Sequence, residues 1–169
     1  DSGLLQIVRN PKTGRKDTST VLSSTRVGDF EDIIDDIIHA CQLQNIDTGA
    51  ISSELGPGQF EINFNHHSDV LRAADETSLF KRTVVEIAKK HGMCASFIAK
   101  PLLENAGNGL HMHISVVDDK GRNIFHQGDN AHPRLHHSIG GLLETMPAAM
   151  SFWAPSINSY RRYRGGISC

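Results

Sequence analysis

Ile51-Ser52-Ser53-Glu54-Leu55-Gly56-Pro57-Gly58-Gln59-Phe60-Glu61-Ile62-Asn63-Phe64-Asn65 decides how this chain is read. The stretch is strand-like at both ends and broken in the middle. Proline offers no backbone N–H and glycine weakens a strand interior, so Gly56-Pro57-Gly58 bars a continuous central strand. A strand, a bend and a second strand are expected. Beyond the bend, Phe60, Ile62 and Phe64 alternate with Glu61, Asn63 and Asn65. A period of two places the apolar set on one face and the polar set on the other. The bend lets two carboxylates, Glu54 and Glu61, approach one point. Held together they repel unless a cation lies between them or one takes up a proton. Mg²⁺ or Mn²⁺ prefers such oxygen donors. Two unrelated surface glutamates are the alternative, and spacing alone leaves it open.

On the N-terminal side, Asp29 to Asn45 reads as an amphipathic helix. Asp29 can cap it, and Glu31 and Asp32 in the first turn suit the helix dipole. Phe30, Ile33, Ile34, Ile37, Ile38 and Cys41 recur at three- and four-residue spacing. Asp35 and Asp36 flank that stripe as a solvated face. Residues 1–28 are polar, with a turn at Asn10-Pro11-Lys12-Thr13-Gly14 and an edge strand over Leu4 to Val8. On the C-terminal side, Ser68 to His91 reads as a long helix capped by Ser68 or Asp69 and ended by Gly92. Its apolar stripe is Val70, Leu71, Ala74, Leu79, Phe80, Val84, Ile87 and Ala88; Lys81, Arg82, Lys89 and Lys90 form its wet side. Met93 to Ala99 is expected as a short strand and Leu110 to Val117 as an alternating one. Asp118-Asp119-Lys120-Gly121 is a hairpin turn, and Pro133 opens a helix carrying Leu135, Ile139, Leu142, Leu143 and Met146. This mixed order points to an α+β fold, an antiparallel-rich curved sheet with packed helices.

The 169 residues suit one domain. With 38% apolar and 21% charged residues the composition is that of an ordinary soluble protein. A net charge of −2 lacks the basic stripe of a nucleic-acid binder. No apolar run is long enough for a membrane span, and the N-terminus does not resemble a signal peptide. Cys41, Cys94 and Cys169 form no CxxC pair, which fits a reducing cytoplasm. Cys41 and Cys94 are expected as small core residues. The adjacent pairs His66-His67 and His136-His137 diverge on a strand or a helix, so neither is a shared metal site.

Two further clusters have polar chemistry. Glu104-Asn105-Ala106-Gly107-Asn108-Gly109 is a flexible loop whose amides can approach an anion closely. His111, His113 and Ser115 follow it on one strand face. One imidazole there can join carboxylates on a metal; a solvent-exposed face is the alternative. Near the C-terminus, Arg161, Arg162 and Arg164 lie beside Tyr160 and Tyr163. Arginine forks suit carboxylates and phosphates, although clustered arginines near a terminus also serve as plain surface charge.

Taken as an ordered set, these residues resemble the catalytic domain of glutamine synthetase. Glu54 to Glu61 looks like that family's metal-carboxylate segment. Lys100-Pro101 followed by Ala106-Gly107-Asn108-Gly109-Leu110-His111-Met112-His113-Ile114-Ser115 looks like its ATP-site signature. Asn158-Ser159-Tyr160-Arg161-Arg162 looks like the segment supplying a substrate-binding arginine. The resemblance runs from about residue 29 to 162. It implies that Glu54 and Glu61 hold one divalent ion and His111 a second. It places His113 and Ser115 at the nucleotide, Gly107 near the substrate glutamate, and Arg162 at the γ-glutamyl phosphate as the catalytic and substrate-binding arginine.

The implied reaction uses ATP with Mg²⁺ or Mn²⁺ to join glutamate to ammonia or a small organic amine through γ-glutamyl phosphate. Ordinary glutamine synthetases carry Asn at the place of Ala106. Alanine there looks more like the γ-glutamylputrescine or γ-glutamylpolyamine synthetase branch. The family's small N-terminal β-domain and its later arginine and glutamate pattern have no counterpart here. Residues 1–28 therefore read as a partial entry segment and 29–169 as a catalytic domain truncated at both ends. The resemblance implies a parent enzyme assembled as a ring homo-oligomer and a chain that is inactive alone. Two alternatives stand beside it. One is a guanidino-kinase-like phosphotransferase, whose catalytic sheet is similar. The other is a truncated relative with a structural or interaction role.

Overall fold

The computed structural model describes residues 6–18, 20–127 and 130–163. Among them the chain divides after Asn108 into two compact units.

The first unit is built on helices α1 (Ser24–Asp29), α2 (Glu31–Leu43) and α3 (Val70–Lys90) and the antiparallel strands β1 (Thr48–Ser53) and β2 (Phe60–Phe64). The expected helix from Asp29 begins two residues later. Ser23 caps an earlier turn by accepting the Arg26 N–H, so Asp29 closes α1 and Phe30 caps α2 without a side-chain bond. Asp29 instead accepts a hydrogen bond from Asn10 Nδ2 at 2.6 Å. The α2 stripe is buried as its spacing requires, with Ile34, Ile37 and Cys41 inside. Asp36 on the flank pairs with His91 Nε2 at 2.8 Å.

The α3 helix fits its expected span closely. Asp69 accepts the Leu71 and Arg72 N–H groups, and Gly92 leaves the helix at φ +69°. The N-terminal half of its stripe departs: Val70, Leu71, Ala74 and Leu79 are exposed, and the buried part runs from Phe80 through Ile87 and Ala88. The core is Ile37, Cys41, Ile46, Phe80 and Ile87, closed by Ile62, Phe64 and Val84. Phe64 and Phe80 meet edge to face at 5.1 Å, so the apolar face of β2 is pinned to α3.

Two strand expectations are corrected. Met93 to Ala99 forms no strand. Its carbonyls are taken by a loop residue instead of a ladder: Asn108 Nδ2 donates to Ser96 O and Ile98 O, and the Asn108 N–H to Ala99 O. Cys94 in this segment is exposed, not a core residue, whereas Cys41 is fully buried. The edge strand expected over Leu4 to Val8 lies partly outside the described residues, and residues 6–8 are not strand.

The second unit begins at Gly109. Leu110 to Val117 is not a ladder strand. A strand needs a neighbour for its N–H and C=O groups; among the described residues Leu110 to Val117 belongs to no ladder, and an isolated bridge, Val117 to Asn123, with the Ile124 N–H to Val116 O bond stands at its end. Both faces are accordingly exposed, Leu110, Met112 and Ile114 as much as His111 and His113. The turn that follows forms as expected. Asp118 Oδ1 accepts the Lys120 and Arg122 N–H groups, and Gly121 takes φ +75°. A short hairpin, β3 (His126–Gln127) with β4 (Asn130–Ala131), leads into α4 (Pro133–Trp153), capped by His132, and then α5 (Ile157–Arg161), capped by Ser156. No α4 residue is buried, although Ile139, Leu142, Leu143 and Met146 form the expected apolar row.

Candidate functional site

The bend between β1 and β2 is a tight turn. Gln59 N–H donates to Gly56 O at 3.0 Å, with Pro57 second and Gly58, at φ +66°, third. That order suits a type II turn, whose third residue needs positive φ. The ladder register pairs Ser52 with Glu61, and the Glu54 N–H donates to Gln59 O at 2.9 Å, one rung beyond Ser53. Directly opposed residues share a face, as do residues two apart. Glu54 and Glu61 therefore stand on one face of the hairpin as diagonal neighbours. The other face carries Ser53, Phe60, Ile62 and Phe64 against the helices.

Both carboxylates are half-buried. Among the described residues no hydrogen bond or ion pair engages either one. Two half-buried carboxylates on one face without a protein cation between them are a donor set that fits a hard divalent ion. They supply only part of its shell. Among the described residues no group of three His, Cys, Asp or Glu side chains is placed to hold a metal.

Gly107 belongs to the same unit and is buried. Its carbonyl accepts from Gln59 Nε2 at 2.9 Å, and the same nitrogen donates to Asn108 Oδ1 at 3.0 Å. Gln59 Oε1 accepts the Gly56 N–H at 2.8 Å. One side chain thus fastens the carboxylate bend to the glycine loop. Sequence reasoning singled out Gly107 and passed over Gln59. It also passed over Asp17 and Arg26, buried beneath the bend at a salt-bridge distance of 2.7 Å. The two residues stand in a segment read as polar and unpatterned, where no period marks them.

The remaining expected residues lie in the second unit. His111, His113 and Ser115 fall on the exposed, unladdered segment, so the shared strand face expected for them does not form. Arg162 follows α5, and its guanidinium lies against Gly109. A Cβ at Gly109 would stand 3.1 Å from Arg162 Nη2 and 3.4 Å from Nη1. Its Nε is buried without a hydrogen-bond partner. A buried guanidinium edge with an unsatisfied donor is suited to an anion such as a phosphate or carboxylate. Arg164 lies outside the described residues.

Comparison with known proteins identifies the family. The family model described as glutamine synthetase, catalytic domain, matches residues 1–168. Gamma-glutamylputrescine synthetase PuuA of Escherichia coli is 40% identical over 168 residues, covering 98% of this chain and 35% of that protein. Glutamate–methylamine ligase of Methyloversatilis universalis is 39% identical over 128 residues, 73% of this chain and 28% of that protein. Glutamine synthetase of Halobacterium salinarum is 36% identical over 134 residues, 78% of this chain and 29% of that protein. Among solved structures, apo GmaS superposes with a TM-score of 0.80 at 26% identity, covering 93% of this chain and 39% of its own. Plasmodium falciparum glutamine synthetase gives 0.80 at 25% identity, covering 95% and 32%. The chain thus spans about a third of the length of these curated relatives.

Proposed function

Because the chain belongs to the glutamine synthetase family through its catalytic domain, we propose that it forms part of an ATP-dependent ligase joining glutamate to an amine. The observation that carries this reading is the pair Glu54 and Glu61, set on one face of the hairpin with neither carboxylate engaged by a hydrogen bond or ion pair among the described residues.

Glu54 and Glu61 would hold one Mg²⁺ or Mn²⁺, and His111 would contribute to a second. A bound divalent ion supplies charge neutralisation to the transferring phosphoryl group. The γ-carboxylate oxygen of glutamate attacks the γ-phosphorus of ATP, and ADP leaves. The amine nitrogen then attacks the acyl carbon of γ-glutamyl phosphate, inorganic phosphate leaves, and the nitrogen gives up a proton. The Gly107 loop orients glutamate, His113 and Ser115 line the nucleotide, and Arg162 balances negative charge on the acyl phosphate.

The acceptor is an organic amine. Ala106, beside Gly107, supports this, since its methyl group cannot hydrogen-bond as an amide side chain would. Relatives named for putrescine, methylamine and isopropylamine point the same way. The chemistry implies a cytoplasmic enzyme, and the family resemblance implies a ring of like subunits. Among the described residues no helix is long and apolar enough to cross a membrane. Since no third donor joins Glu54 and Glu61 among those residues, the 169-residue chain is expected to show no turnover by itself.

The test is product analysis on a full-length protein carrying this sequence, supplied with ATP, Mg²⁺, glutamate and either putrescine, methylamine or ammonia. A γ-glutamyl amide of the organic amine is expected. Efficient glutamine formation with no amine product would refute the acceptor assignment, and a phosphorylated guanidine from a guanidino substrate would refute the ligase.

A further inference from the structure

Beneath the carboxylate bend lies an ion pair with both side chains about 95% buried, Arg26 at 5% and Asp17 at 4% exposure. Arg26 donates through Nε to Asp17 Oδ2 at 2.9 Å and through Nη1 to Thr20 O at 3.2 Å. Its remaining donors go to the bend: Nη1 to Glu54 O and Nη2 to Gly56 O, each at 2.6 Å. Asp17 Oδ2 accepts the Gly58 N–H at 2.6 Å. The guanidinium also lies 5.2 Å from the centre of the Phe60 ring, next to Glu61. Val8 closes the far side, its Cγ1 2.6 Å from where a Cβ on Gly58 would stand.

Taking two charges out of water costs several kcal/mol per ion and is recovered only through good geometry and further hydrogen bonds. Here those further bonds fall on alternate residues of one turn, Glu54, Gly56 and Gly58, and on the ring that follows it. A fork of planar donors reads a fixed spacing of carbonyls, which a flexible ammonium cannot do. We propose that Asp17 and Arg26 are positioning residues that fix the shape of the Glu54–Gly58 turn and thereby the spacing of the Glu54 and Glu61 carboxylates for a divalent cation. The proposal rests on the metal reading of those two glutamates. Neither Asp17 nor Arg26 touches the metal. They act through the backbone that carries its ligands.

The experiment pairs amide hydrogen exchange with Mn²⁺ titration followed by electron paramagnetic resonance, on the wild-type chain and on Arg26→Gln, Arg26→Lys and Asp17→Asn. In Arg26→Gln the Glu54, Gly58 and Gln59 amides should exchange at least tenfold faster, with the α3 amides unchanged. The Mn²⁺ dissociation constant should rise at least fivefold. Arg26→Lys, which keeps the charge and loses the fork, should fall between. A turn that exchanges at the wild-type rate in Arg26→Gln overturns the proposal, and so does a loosened turn with wild-type Mn²⁺ affinity. If Arg26→Gln loses protection in α3, Asp17→Asn decides, since Asn can still accept the Gly58 N–H. Loss of α3 protection in both makes the pair a general fold determinant and overturns the positioning role. A Glu54→Gln, Glu61→Gln double variant separates the two readings. It should weaken Mn²⁺ binding without loosening the turn. Unchanged Mn²⁺ binding there sinks the metal reading, and exchange at Glu54, Gly58 and Gln59 alone then decides whether the pair holds the turn.

Discussion

Replacing Gln59 offers the most direct test of how the carboxylate bend and the glycine loop are joined. Gln59→Ala removes the acceptor of the Gly56 N–H and the donor to Gly107 O and Asn108 Oδ1. Gly56 and Gly107 are buried, so water does not readily replace the lost partner. An unsatisfied buried group costs about 1–3 kcal/mol, and two such groups, discounted for the half-buried setting of Gln59, give about 2–4 kcal/mol. For a domain of this size each kcal/mol lowers Tm by about 2–4 °C, so a fall of roughly 5–15 °C is expected. Circular dichroism melts and urea titration measure it. Gln59→Glu sharpens the test. It keeps an oxygen for the Gly56 N–H but sets a second oxygen against the Gly107 carbonyl. At pH 7 it should be as damaged as the alanine variant, and it should recover as the pH falls toward an ordinary glutamate value near about 4.3, because a protonated carboxyl can donate. Loss of less than about 0.5 kcal/mol in Gln59→Ala, the size of an ordinary surface substitution, would refute the reasoning. So would a Gln59→Glu protein as stable as wild type at neutral pH.

The remaining expectations concern the thiols, the turn and the core. Cys94 is exposed and Cys41 fully buried, so a thiol reagent should label Cys94 in the native protein and Cys41 only on unfolding. Burial pushes the Cys41 thiol up from its ordinary value. The unfolded thiol then ionises first, near about 8.5, so stability is intact below that pH and declines above it; Cys41→Ala should flatten that decline in melts taken from pH 7 to 10. Asp118 is held below the usual carboxylate value, first by the Arg122 N–H and then by its guanidinium. Its contribution to the turn is present above about 3.9 and lost as the pH falls further, which a nuclear magnetic resonance titration of the Arg122 amide reads directly; Asp118→Asn should abolish the transition. Ile37→Ala in the core should cost about 2–5 kcal/mol, whereas Leu143→Lys, at a site 63% exposed, should stay within about 0.5 kcal/mol; urea titration separates the two.

Local chemistry was legible where a short run of residues settles its own conformation. The α3 helix follows from one apolar stripe, one capping aspartate and one terminal glycine, all within 24 residues, Asp69 to Gly92. The bend follows from Gly56-Pro57-Gly58, since only that backbone chemistry stops a strand and reverses it. The strands expected at Met93–Ala99 and Leu110–Val117 failed for a shared reason. Alternation states which face a residue would take, but a strand exists only when another backbone lies beside it. In the first case Asn108 occupies the carbonyls; in the second no ladder partner stands alongside among the described residues.

The candidate site divides along the same line. Glu54 and Glu61 could be brought near one point because only six residues, with one turn among them, lie between; their shared face follows from the register, which spacing alone left open. Arg26 and Asp17 could not be found, because their partners on the bend lie between 28 and 41 residues away. A lone arginine among serines and threonines carries no period, and its burial depends on a turn that sequence order does not bring near. Gln59 was within sight, inside the quoted stretch, yet its role depends on Gly107 and Asn108, 48 and 49 residues on. Residues that would meet a ligand are recognisable by type, since metals and phosphates demand particular donors. Residues that hold those donors in place are ordinary polar side chains, distinguished only by what the fold sets against them. A substitution at Arg26 should therefore disturb the Glu54–Glu61 spacing while leaving every residue of the motif unchanged, and one at Gln59 should do so while leaving both carboxylates in place.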